Sequence, residues 1–426
     1  MAIEDLGKPV VLLANYGFVN DAHSAVSGKG MPGVRVIGTT IACESTVEAD
    51  IESGIDGALE DIIAALTKPL TQEESSPQPK TEPEPRIVFK GSYQDVNNFF
   101  YRKGWSDGLP VSPPTEAAVA DMMTGTDFPA DHIVGKLIPR GGKATIEKIA
   151  VNAVMAGALP VHMPVIIAAV EALTDQRTRF DTFEVSTGSW APFFLINGPV
   201  RKDIHINASS GAMSPGNIAN AAIGRAVGLI VKNIGGARKA LEDMGTLGNP
   251  GKWSLVVGEN EEESPWDPYH VDNGYKKEDN VLTVFFPNRY SQTTPSQTHA
   301  EGLARSIAGM RPGALSALLV IPDHAKIFAS EGWSKQQLRD FIMKQNLGPT
   351  ATGIMNSNQV GGRVGRSLQN EDFMVVIIGG PGVWHGLLQS AGGFNNSFVS
   401  KEIKLPKDWS SLTAKYKNMI PNYVSY

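Results

Sequence analysis

Small polar side chains on a loop that runs into a helix can hold an anion, and residues 207–220 have that pattern. An apolar run, Phe193 to Ile196, has the length of a buried strand and breaks at Asn197-Gly198-Pro199. Asn207, Ser209, Ser210 and Gly211 follow. Ser214-Pro215 then reads as an N-cap with proline at the first helical position, where its missing N–H costs nothing. A helix start leaves free N–H groups and the positive end of its dipole pointing outward. Asn217, Asn220 and Arg225 add side-chain donors, and the two asparagines share a face. The helix is rich in Gly216, Ala219, Ala221, Ala222, Gly224, Ala226 and Gly228, so another backbone or a ligand approaches it closely. The rival reading is a packed core helix whose asparagines cap neighbouring loops.

Groups that move protons or attack carbon form a second set. Asp107 stands in the rigid loop Trp105-Ser106-Asp107-Gly108-Leu109-Pro110, as a general acid/base or as an Asx-turn that closes its own loop. Glu259, Glu262 and His270 belong to one segment after an apolar strand, an acid/base or divalent-metal set that competes with a solvated acidic loop. Their spacing matches no established metal-ligand motif, and no cofactor is firmly implied. Trp266, between Pro265 and Pro268, reads as the wall of a pocket, as does Trp105. His205 precedes the serine loop and His385 follows a glycine-rich turn, which makes these two the best of the scattered histidines. Cys43 precedes a helix start that would stabilise its thiolate, whereas Glu44 beside it opposes that effect. Gly-x-Ser-x-Gly is absent around Ser209 and Ser210, so serine hydrolysis is set aside.

The elements that must position these groups are legible in part. Residues 1–70 read as a small α/β unit: strands Pro9 to Asn15 and Val34 to Thr40, then a helix capped by Ser45 and Glu48. Val47, Ile51, Ile55, Leu59, Ile62, Ile63 and Leu66 make its apolar stripe. Two strands and a helix bury little alone, so the unit is expected to dock on something. Residues 71–86, with four prolines among charges, form a solvated linker. Residues 87–426 read as a larger α/β domain with a mixed sheet, its strands near Trp253–Gly258, Val281–Phe286, Ala314–Ile321 and Met374–Ile378 alternating with helices.

Composition bounds the function. The 426 residues carry 42% hydrophobic and 19% charged side chains and a net charge of −6, which gives nucleic acid no electrostatic footprint. No run reaches the roughly 18 apolar residues of a membrane span. The acidic N-terminal stretch does not read as an export signal, so a cytoplasmic location is expected. A single cysteine rules out an internal disulfide and a cysteine-cluster metal site.

The pieces GKPVVLLANYGF, GMPGVRVIGTTIA and EDIIAALTKPL resemble the second half of the UGSC family of redox-type (seleno)proteins. In the larger domain, GWSDGLPVSPPT, INGPVRKDIHIN, AMSPGNIANAAIGRA, GENEEESPWDPYHV, PDHAKIFASEGWSKQQLRDFI and VVIIGGPG resemble the domain that accompanies that unit. The family's selenocysteine/cysteine-Gly-Ser-Cys motif lies in the half that this chain lacks. The resemblance therefore implies a partner chain that bears the motif, or chemistry supplied by Cys43 or the larger domain. It also implies carbon–sulfur or other carbon–heteroatom bond chemistry of lyase or redox type.

The expected function is an enzyme or enzyme subunit acting on a small anionic substrate. Ser209 to Asn220 would hold the anion, Asp107, His205 and Glu259 would handle protons, and Cys43 or a partner's residue would do covalent work. Its rivals are a non-catalytic accessory subunit of a thiol/selenol redox partner, and a metal-dependent hydrolase or lyase built on Glu259, Glu262 and His270. A homo-oligomer or a hetero-complex with a UGSC-bearing chain is expected.

Overall fold

The computed structural model describes residues 6–28, 31, 33–42, 45–75, 85–239, 241–313, 315–346, 370–390 and 397–420. Strands β1 (Val11–Asn15) and β2 (Arg35–Thr39) pair in parallel, with the helices Val19–Gly28 and Glu48–Thr67 beside them. The expected capping box at the second helix does not form: Val47 takes the cap position, and Ser45 Oγ accepts from the Val47 amide instead. Strands β3 (Ile133–Leu137) and β4 (Gly142–Thr145) make a separate hairpin.

The larger part of the chain is built on two four-stranded sheets. The first has the order β12 (Val399–Glu402), β7 (Val281–Phe285), β5 (Phe193–Asn197), β6 (Val256–Gly258). The second has the order β10 (Phe373–Ile377), β9 (Ser316–Val320), β11 (His385–Gln389), β8 (Arg289–Thr293). Each sheet traces the same path. A strand is followed, after a helical crossover, by a parallel neighbour (β5 then β6, β9 then β10), and the next strand returns antiparallel on the other side. The fold is α/β with mixed sheets, as the alternation of strands and helices predicts.

The period-two alternation of strand side chains decides the layering. Phe193, Leu195, Val257 and Phe285 from the first sheet form one cluster with Ala317, Leu319, Met374, Val376 and Leu388 from the second. The alternate residues Phe194, Ile196, Val256, Leu282 and Val284 turn outward, onto the helices Ile146–Met155, Met163–Leu173 and Ile218–Asn233. Leu318, Val320, Phe373, Val375 and Ile377 do the same toward Ala300–Gly309, Pro322–Ser330 and Lys335–Asn346. The result is four layers, helix–sheet–sheet–helix. Both faces of the central strands are buried, which is why they read as unbroken apolar runs, whereas the edge strands β8 and β12 are partly exposed.

The helix Ile218–Asn233 begins four residues later than Ser214. Gly216 at φ +143° holds the chain out of helical geometry, so Ser214 and Pro215 stay in an exposed turn. Its glycines face chain, not ligand: a methyl group at Gly224 would sit 2.7 Å from Ser254 Cα, and one at Gly228 3.0 Å from the Lys252 carbonyl. Among the described residues, no helix is long and apolar enough to cross a membrane.

Candidate functional site

The connection between β5 and the helix Ile218–Asn233 separates two polar regions. One is a buried cluster at the carboxyl ends of β5 and β6. The other is a hollow at the start of the helix.

The buried cluster is centred on Arg201, which is 4% exposed. Its guanidinium donates to the carbonyls of Gly198 (3.1 Å) and Glu259 (2.7 Å) and forms ion pairs with Glu261 (2.9 Å) and Glu262 (3.1 Å). Asn197 Nδ2 donates to Glu259 Oε2 and Glu261 Oε1 at 2.7 and 3.0 Å. The Tyr269 amide donates to Glu259 Oε2 at 2.7 Å, and Lys335 Nζ lies 3.9 Å from Glu259 Oε1. Burial pushes the Glu259 carboxyl above its ordinary value, against the pull of Lys335 and the two donors. Glu262 behaves oppositely: burial raises it, but Arg201 and Lys202 hold it at about 2. His270 is fully buried, and neither of its ring nitrogens has a partner.

These contacts correct the metal reading of Glu259, Glu262 and His270. Glu262 is committed to Arg201 and Lys202, and Glu259 to Asn197 and Tyr269. Among the described residues, no three His, Cys, Asp or Glu side chains come together as a ligand set. Trp266 is a packing side chain: its Nε1 donates to the Trp333 carbonyl at 3.0 Å and its ring packs near Phe328 in the outer helical layer.

Asp107 lies on a different partner. Arg225 Nε and Nη2 donate to its two carboxylate oxygens at 2.7 and 2.9 Å, and the Leu109 amide donates to Oδ1 at 3.2 Å. The last bond is the Asx-turn anticipated from the sequence. Burial raises the Asp107 carboxyl, but Arg225 and Leu109 together hold it below the ordinary value, the wrong direction for a general base near neutrality. Trp105 completes the same structural unit, edge-on to Phe99 and Phe100, its carbonyl accepting from Asn233 Nδ2 at 3.0 Å. Arg225 and Trp105 are thereby corrected from substrate contacts to braces of the loop.

Asn220 is also a brace. It is buried, its Oδ1 accepts from the Asn207 amide (2.8 Å), and its Nδ2 donates to the carbonyls of Val256 (2.9 Å) and Asn207 (3.1 Å). Asn207 closes the serine loop in turn: its Oδ1 accepts from the Ser209 amide and its Nδ2 donates to the Ser210 carbonyl. Ser210 packs on Gly380, so the serine loop meets the glycine-rich turn after β10. Ser209 and Ser210 therefore shape a loop junction, and Ser214 stands exposed outside it. Cys43 lies outside the described residues.

The hollow is lined by His162, Asp203, His205, Asn217, Ile218 and Ala219, with Tyr416 and Met419 as its roof. Its space is about 10 Å³, room for one water-sized group. Asn217 occupies the N-cap position, but its side chain makes no cap bond to the helix. The first amides of the helix are therefore left without that intrahelical acceptor. His205 sits at φ +57°, unusual for a residue with a side chain, and its Nε2 is 3.0 Å from the Lys417 carbonyl. His162 is buried, and its Nδ1 accepts from the Leu159 amide at 3.1 Å, which puts the ring proton on Nε2. Burial, with His205 nearby, holds the His162 imidazole down at about 3, neutral at physiological pH. Sequence reasoning missed His162 because it marks the break between two apolar helices and carries no motif. Asn197 reads in sequence as a turn residue, and Arg201 and Lys335 carry no motif.

Of the residues singled out in the sequence, the structure thus brings His205 and Asn217 together at the hollow. Asp107, Glu259, Glu262, His270 and His385 do not line it. His385 lies instead beside His324, at the start of β11. No family model, no curated protein and no solved structure matches the chain.

Proposed function

We propose that the chain is an enzyme or enzyme subunit that holds a small anionic substrate at the start of the helix Ile218–Asn233. The observation that carries this reading is the coincidence, in one hollow, of a helix start without side-chain capping and two imidazoles. Helix amides and the neutral His162 Nε2–H supply donors to an anion without a full positive charge. His205, less buried than His162, is the group that exchanges protons with it. A substrate larger than water enters when the segment bearing Tyr416 and Met419 moves aside and the Lys417 carbonyl releases His205. Carbon–sulfur or other carbon–heteroatom chemistry remains the reaction class that the UGSC resemblance implies.

The test is titration of the full chain with inorganic phosphate, sulfate and acetate, followed by amide chemical shifts. Saturable shifts at Ile218 and Ala219, weakened at least about tenfold in His162→Phe, support the reading. Flat shifts at these amides at millimolar anion would overturn it.

A second reading, an accessory subunit, is favoured by a different observation. Val47, Leu59, Ile63 and Leu66 of the expected apolar stripe are exposed, together with Leu12, Leu13 and Tyr16. Under this reading a partner chain covers that face. Sedimentation of the chain with and without a UGSC-bearing chain separates the two readings.

A further inference from the structure

The carboxyl end of β9 brings two histidines together far along the chain from each other. β11 runs antiparallel to β9, with Gly386 opposite Leu319, so its first residue, His385, arrives beside the end of β9. Four residues past the end of β9, in the first turn of the helix Pro322–Ser330, stands His324. The two ring centroids are 4.4 Å apart with the planes tilted by 49°. His324 is 4% exposed and His385 1%.

Neither ring is satisfied. His324 Nδ1 and both nitrogens of His385 are buried and have no hydrogen-bond partner. A buried polar atom without a partner costs about 1–3 kcal/mol, and folded proteins leave few of them. Three such atoms on two touching rings are a concentration that packing alone does not explain. The Asp323 carboxylate adds negative potential beside His324, fixed by a bond of 3.1 Å from the Gly382 amide.

We propose that His324 and His385 together bind a borderline divalent transition ion (Zn²⁺, Ni²⁺ or Cu²⁺), with water or a small anion completing its coordination. Imidazole nitrogen is the ligand these ions prefer over hard oxygen donors. Two imidazoles in neighbouring positions of a tetragonal ion such as Cu²⁺ or Ni²⁺, at about 2.0–2.1 Å and about a right angle, bring their ring centres to roughly 4.5 Å, close to the 4.4 Å seen. The tetrahedral angle of Zn²⁺ would ask the rings to part to roughly 5.2 Å. The chain just before His385, Pro381 to Trp384, is exposed, and the Gly382 amide bonds Asp323, the residue before His324. This inference is independent of the hollow at the helix start.

The test is binding of each metal ion alone to chelator-treated full chain, by calorimetry, with Cu²⁺ examined by electron paramagnetic resonance. The expected result is one ion per chain, with hyperfine structure from two nitrogens and a raised melting temperature. His324→Ala and His385→Gln should each weaken binding at least about tenfold, whereas His205→Ala should not. Absence of stoichiometric binding at micromolar ion, or equal affinity in His324→Ala, overturns the proposal. If His385→Gln does not fold, the nitrogen count in the unaltered chain and the His324→Ala result still decide.

Discussion

The carboxylate of Asp107 takes both nitrogens of one edge of the Arg225 guanidinium, at 2.7 and 2.9 Å, and so ties a rigid loop to the helix Ile218–Asn233. Both side chains are 17% exposed. Two-pronged, partly buried pairs of this kind hold geometry better than a surface pair does. In sequence Asp107 looks catalytic, a lone acid in a stiff loop; in space this bond makes it structural.

Removing one partner therefore tests a structural role. Asp107→Asn leaves Arg225 short of its anion and should cost about 1–3 kcal/mol in denaturant unfolding. Because the folded carboxyl is held low, its stabilising share is present above the unfolded carboxylate range, near 3.9, and is lost as pH falls through the folded value. In the variant that acid-side loss should shrink. An unchanged unfolding midpoint across pH 3–7 would contradict the assignment.

The glycine-rich helix gives a prediction that runs against propensity. Alanine for glycine in a helix ordinarily gains up to about 1 kcal/mol. At Gly224 the new methyl would press on the Ser254 backbone, and overpacking of this type costs about 1–3 kcal/mol. Gly224→Ala should destabilise the chain. Gly57→Ala, in the helix Glu48–Thr67 with nothing within 4 Å of the added methyl, should not. Equal behaviour of the two in thermal melts would show that the close approach is not there.

Much of this was legible in the sequence, for identifiable reasons. The strands β5, β7, β9 and β10 announce themselves because both faces are buried and, apart from Asn197 at the end of β5, every residue is apolar or small. β8 and β11 do not: Arg289–Thr293 is polar and mostly exposed, and His385–Gln389 opens on a glycine-rich turn. The helix start was misplaced because Ser-Pro is a strong local signal, and the backbone at Gly216 overrides it. The site was harder still. Asn220, Arg225 and Glu262 have the residue types of a binding site, yet each is used up by a partner more than 12 residues away in sequence. Periodicity carries no trace of such pairings. His205 and Asn217 meet at the hollow because the strand-to-helix connection folds back on itself, which only the fold decides.

Arg201 offers a sharper stability test. Its buried guanidinium holds the buried Glu261, the Glu259 carbonyl and the outer, solvent-facing Glu262. Arg201→Ala leaves the 8% exposed Glu261 uncompensated and should cost about 3–5 kcal/mol. Adding Glu261→Gln to Arg201→Met should recover part of that loss, because the orphaned charge is gone. If the double variant is no more stable than Arg201→Met alone, the cluster is not held by charge.

Buried titratable groups predict opposite pH limbs that variants can separate. His162 and His385 are each held at about 3 in the folded chain by burial, against 6.5 when free. Between those values the unfolded chain binds more protons, so stability must fall as pH drops from about 6.5 toward 3. Glu184 works the other way. Burial first, with Asp243 adding to it, lifts its carboxyl from 4.5 to about 7 despite Lys252. Between pH 4.5 and 7 the folded chain holds the extra proton, so this group lowers stability as pH rises through that window. Glu184→Gln removes the second limb only, so its stability profile should rise more steeply from pH 5 to 7 than that of the unaltered chain. His162→Phe removes part of the first and should flatten the acid side. Parallel profiles for all three proteins in urea unfolding would mean that these groups are solvated, and the neutral His162 assigned to the hollow would fall with them.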